Sequence, residues 1–95
     1  MKNIFNMNPT IKQMVIQGFE EGVENALKLA SKQNPPEWKE NPFHMTVLIL
    51  GAINETKNVY KQMLKDNNAK FDIDKADVDA FIEEIGQKIH NKYFH

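Results

Sequence analysis

Apolar residues recur at three- and four-residue spacing along three stretches of this chain, which is the period of an amphipathic helix rather than the alternation of a strand. The first stretch runs through Ile11, Met14, Val15, Ile16, Phe19, Val23, Ala26, Leu27, Leu29 and Ala30, with Glu20, Glu21, Glu24 and Lys28 interspersed. Asn8-Pro9 stands just before it. An Asn side chain can accept the orphan amides of a first turn, and a proline at the first helical position has the right φ and lacks only an N–H that would go unused. The pattern predicts a helix over Pro9–Gln33. Its apolar arc covers more than half the circumference, so two helical neighbours are expected.

Asn41-Pro42 repeats the same start, and a second helix is expected over Phe43–Asp66, closed by Asp66-Asn67-Asn68. Its first half, Met45 to Ile53, is apolar nearly all round and is expected to be the most buried segment. The β-branched Thr46, Val47 and Ile49 leave a strand over 44–50 as an alternative, although no partner strand is evident. The third helix is expected over Asp74–Asn91. Ile73 and Val78 flank its start as a hydrophobic staple, and Val78, Phe81, Ile82, Ile85, Ile89 and Tyr93 form one narrow stripe. Asp77 and Asp79 near its start and Lys88 and Lys92 near its end suit the helix dipole. Residues 34–42, rich in proline, connect the first two helices. The reading is an all-α bundle of three helices forming one domain, 1–95.

Composition narrows the class. Of 95 residues, 41% are hydrophobic and 26% charged, a globular balance. The chain has no cysteine, which removes disulfides, thiolate metal sites and a thiol nucleophile and fits a reducing compartment. Its start, Met1-Lys2-Asn3-Ile4-Phe5, lacks the apolar stretch of a signal peptide, and the longest apolar run, Val47 to Leu50, is far too short to span a bilayer. A soluble cytoplasmic protein without a membrane partner is expected. Net charge is -1, so no global field attracts polyanions. All 12 basic residues are lysine. Without arginine's planar fork, nucleic acid is an unexpected partner. The richness in Lys, Asn and Ile fits an AT-rich bacterial or phage genome.

No catalytic signature emerges. Asp72, Asp74, Asp77, Asp79 and Glu83 resemble a calcium loop, but the position that needs glycine is Asp77. His44, His90 and His95 lack the spacing that puts two ligands on one helical face, and no hydroxyl sits in a nucleophile elbow. Gly18, Gly22, Gly51 and Gly86 all fall within helices, so none forms a phosphate-cradling loop. No metal, cofactor or enzymatic activity is expected.

Four surface features remain. Asp72, Asp77, Asp79 and Glu83 make the third helix acidic and a candidate dock for a basic partner. Lys57, Lys61 and Lys65 form a basic ridge, either a solvated face or an anion contact. Gly18, Gly22, Ala26 and Ala30 form a row of small residues through which another helix could approach closely: the second helix near Gly51 and Ala52, or another copy of the chain in a homo-oligomer. Trp38 and Phe94 lie off the apolar stripes, as lids on the core or as interface anchors. The expectation is a non-enzymatic protein-interaction module, such as an adaptor, inhibitor or assembly accessory protein, using the acidic helix or the Trp38 loop. A nucleic-acid accessory protein using the lysine ridge is the alternative.

Overall fold

A computed structural model describes residues 7–33 and 41–94. It contains three helices, α1 (Pro9–Gln33), α2 (Pro42–Asp66) and α3 (Lys75–Tyr93), and no strand among the described residues. The segment 44–50 is helical. Both Asn-Pro starts work as their chemistry requires. Asn8 Oδ1 accepts from the Thr10 and Ile11 amides at 2.8 and 3.3 Å, and Asn41 Oδ1 accepts from the Phe43 amide at 2.9 Å.

The third helix starts differently. Asp74 stands at the cap position but makes no side-chain cap bond, and its backbone carbonyl receives the Asp77 amide at 2.9 Å instead. The helix begins one residue later than expected and runs two residues further. Tyr93 belongs to its apolar stripe, and the Phe94 amide closes the last turn on the His90 carbonyl at 3.0 Å.

The α2–α3 connection is tied down at two points. Asn67 bonds the Met63 carbonyl through both its backbone and its side-chain amide, at 3.1 and 3.0 Å. Asp72 sits at φ 55°, a left-handed conformation that Asp tolerates better than most residues, and its carboxylate accepts the Asn8 amide at 3.1 Å. One side chain thus joins the start of α1 to the turn before α3.

Helix α2 lies in the middle, packed along α1 on one side and α3 on the other, while α1 and α3 touch only sparsely. The two-neighbour position therefore belongs to α2, and part of α1's apolar arc stays exposed: Met14 is 62% exposed and Leu29 60%. The most buried segment is not the first half of α2, where Val47 and Leu50 face solvent. It is the stripe of α3, where Val78, Phe81, Ile82 and Ile85 join Phe19, Val23 and Leu64 as the fully buried side chains. A narrow stripe can be buried whole by one seam between two helices. An all-round apolar helix cannot, unless neighbours surround it.

Candidate functional site

Helices α1 and α2 run antiparallel with a regular register. Each step of four residues up the small-residue row of α1 is a step of four down α2. A Cβ built on Gly18 would lie 2.7 Å from the Tyr60 hydroxyl, and one on Gly22 would lie 3.3 Å from the Thr56 methyl. Further up, Ala26 and Ala30 share a cleft of about 220 Å³ with Leu48, Gly51 and Ala52. The row is thus an internal helix–helix seam in its lower half. It meets Thr56 and Tyr60 there rather than Gly51 and Ala52, because those two lie one to two turns further along the antiparallel register. Thr56 is buried, and its hydroxyl donates to the Ala52 carbonyl at 2.8 Å, so it is neither a nucleophile candidate nor free to turn away.

The seam does not close along its whole length: it opens at its upper end and along one edge of its lower half. Gly51 has open space where a Cβ would be. A second cleft, of about 260 Å³, is lined by Gly22, Asn25, Leu29, Glu55, Val59 and Tyr60. Leu29, Val47 and Val59 stand 60, 49 and 58% exposed along the two clefts. The result is an apolar groove with a floor of glycine and alanine and walls of branched aliphatic side chains. Tyr60, half-buried at its lower end, stacks edge-on against Phe19 at 5.4 Å, and burial followed by the nearby Glu21 carboxylate pushes its phenol up from the ordinary value.

The lysine ridge of α2 pairs with two acids of α3. Lys57 and Lys61 both reach Glu83, at 2.9 and 2.6 Å, and Lys65 reaches Asp79 at 3.1 Å. The lysine ridge of α2 and the acidic face of α3 thus form one ladder across the α2–α3 seam. The bonds from Lys61 and Lys57 hold the Glu83 carboxyl below its ordinary value. Gly86, placed inside a helix by the sequence but given no role there, is what lets the ladder form: it is buried, and the Lys57 stem lies where its Cβ would be, 2.7 Å from Cδ. Neither chain pattern nor charge spacing singles Gly86 out, since it looks like any isolated helical glycine. A fourth pair, Lys92 with Glu20, joins the end of α3 to α1 and raises the Lys92 ammonium above its ordinary value.

Of the remaining candidates, Asp72 is occupied by the Asn8 amide and Asp77 is half-buried in the first turn of α3. Phe94 is half-buried against the core, its ring 4.7 Å from that of His90. Trp38 lies outside the described residues, as does His95. A hollow of about 290 Å³ between α2 and α3 is lined by Asn54, Lys57, Glu83, Gln87 and His90 among others, with two of its charges already paired to each other. Among the described residues no group of three His, Asp or Glu side chains is placed to hold a metal ion, and no helix is long and apolar enough to cross a membrane. No family model matches the chain, and neither a curated protein nor a solved structure shows significant similarity to it.

Proposed function

We propose that this protein is a non-enzymatic interaction module and that it presents the α1–α2 groove, rather than the acidic face of α3, to a protein partner. The observation that carries this reading is the pairing of open apolar clefts with exposed aliphatic walls at Leu29, Val47 and Val59. Fully burying such side chains is worth about 1.5–3 kcal/mol each, and at 49–60% exposure the isolated chain forgoes roughly half of that at each position. The acidic face offers less. Asp79 and Glu83 are already paired with three lysines, which a basic partner would have to displace. The same ladder occupies the ammonium groups that a nucleic-acid reading requires.

Affinity capture from the source organism tests this with three baits: the wild-type chain, a Leu29→Lys/Val59→Lys variant, and an Asp77→Asn/Asp79→Asn variant. The groove variant is expected to lose the wild-type partner and the acidic-face variant to keep it, with binding then reconstituted from purified components. The reverse pattern would transfer the docking surface to α3.

A further inference from the structure

We propose that the α1–α2 groove is the seam of an antiparallel homodimer, in which a second copy of this chain lays its own α1 edge along it. This rests on the reading of the groove as a protein-docking surface and adds the identity of the partner. Glu21, Asn25, Lys28 and Lys32 succeed one another at spacings of four, three and four, so they form one exposed row along α1. Asn25 itself lines the lower cleft, and Glu21 lies near enough to act on the Tyr60 phenol, which places the row at the groove's edge.

The row changes sign along its length, from the Glu21 carboxylate through the Asn25 amide to the Lys28 and Lys32 ammonium groups. Glu55, which lines both clefts, adds a second carboxylate from α2. Two copies set side by side in the same direction would oppose like charges. Turned head to tail about a two-fold axis near Ala26, they place Glu21 of each copy beside Lys32 of the other. That same axis brings Leu29, 60% exposed, within one helical turn of Gly22 on the other copy, where the cleft of about 260 Å³ stands open against Val59. Gly51, with open space where a Cβ would be, and Ala26 form the low floor of the upper cleft and admit a close approach there. Charge order and knob-and-cleft shape are thus both self-complementary about one two-fold axis, the relation that a second copy of this chain satisfies.

Sedimentation equilibrium of the full chain, loaded from about 5 to about 500 µM at low and high salt, tests the proposal. The wild type is expected to dimerise and Leu29→Asn to sediment as a monomer. Glu21→Lys and Lys32→Glu should each weaken the dimer by about tenfold or more at low salt. The double variant Glu21→Lys/Lys32→Glu should restore it, because the opposed charges are then exchanged rather than made alike. All three positions are exposed, so helical circular dichroism and the urea midpoint serve as controls for folding.

A wild type that stays monomeric throughout overturns the proposal, as does a dimer indifferent to Leu29→Asn or one that the double exchange fails to rescue. A monomer whose groove variants still lose a different captured protein overturns the dimer but leaves the groove as a docking surface. A monomer whose groove variants lose nothing removes both.

Discussion

Tyr60 makes the two glycines of the α1 row unequal. Its hydroxyl is the atom that a Gly18 side chain would strike at 2.7 Å, whereas the next ring atom is 3.8 Å away, an ordinary contact. Alanine in place of glycine improves helix propensity by about 1 kcal/mol, so the sign of Gly18→Ala depends on whether the clash exceeds that gain. The ring is held edge-on against Phe19, which makes the shift costly, and Gly18→Ala is expected to destabilise by about 1 kcal/mol. Removing only the hydroxyl should reverse the sign. In a Tyr60→Phe background the same Gly18→Ala change is expected to stabilise by about 0.5–1 kcal/mol, a coupling read directly from urea unfolding of the four proteins. Equal effects in both backgrounds would mean that the hydroxyl is not what Gly18 accommodates. The small-residue spacing was plain in the sequence, but the residue opposite each glycine was not, because it depends on how far α2 slides along α1.

At the scale of the element, the three helix starts look alike on paper and differ in space. Asn8 and Asn41 each accept amides of the first turn, while Asp74 at the equivalent position bonds none with its side chain. Asn41→Ala is therefore expected to cost about 1 kcal/mol, and Asp74→Ala only a few tenths, through the lost charge at the helix start. Equal losses in thermal or urea unfolding would contradict the difference in geometry. The start of α3 is held by other means: Ile73 and Val78 on either side of the cap are both in the core, and Asp72 is pinned through the Asn8 amide. Periodicity located all three helices within one or two residues at each end. It misjudged depth, placing the most buried segment in α2 where α3 holds it, since a count of apolar residues measures how much of a helix could be buried and not how many neighbours arrive to bury it.

For the molecule as a whole, the ladder of Lys57, Lys61 and Lys65 with Glu83 and Asp79 links acidity to stability. The Glu83 carboxyl titrates lower in the folded chain than in the unfolded one, so its contribution is intact above the ordinary glutamate value of about 4.3 and is lost as pH falls through the lowered value. Glu83 is half exposed, which screens both its pairs and limits each to about 0–1 kcal/mol. Glu83→Gln should consequently flatten the acid limb: between neutral pH and about pH 3 the variant loses less stability than the wild type, by up to about 1 kcal/mol. Parallel acid limbs would show that the ladder is too solvated to matter.

Several properties were determined by local sequence alone. The helical class, the two Asn-Pro starts, the narrow stripe of α3 and the closure after Asp66 each depend on residues within a few positions of one another, where backbone geometry and side-chain spacing leave little choice. What the charged faces do was decided only when the helices came together. An acidic row and a basic row are each legible along the chain, and each invites an outside partner, but nothing local reveals that they face each other across one seam with a buried Gly86 making room for Lys57. The groove shows the same dependence. The row of Gly22 and Ala26 was legible as a seam, but Leu29 and Val59 are ordinary members of apolar patterns, and only the antiparallel register of α1 on α2, with α3 touching α1 sparsely, sets them along an open cleft.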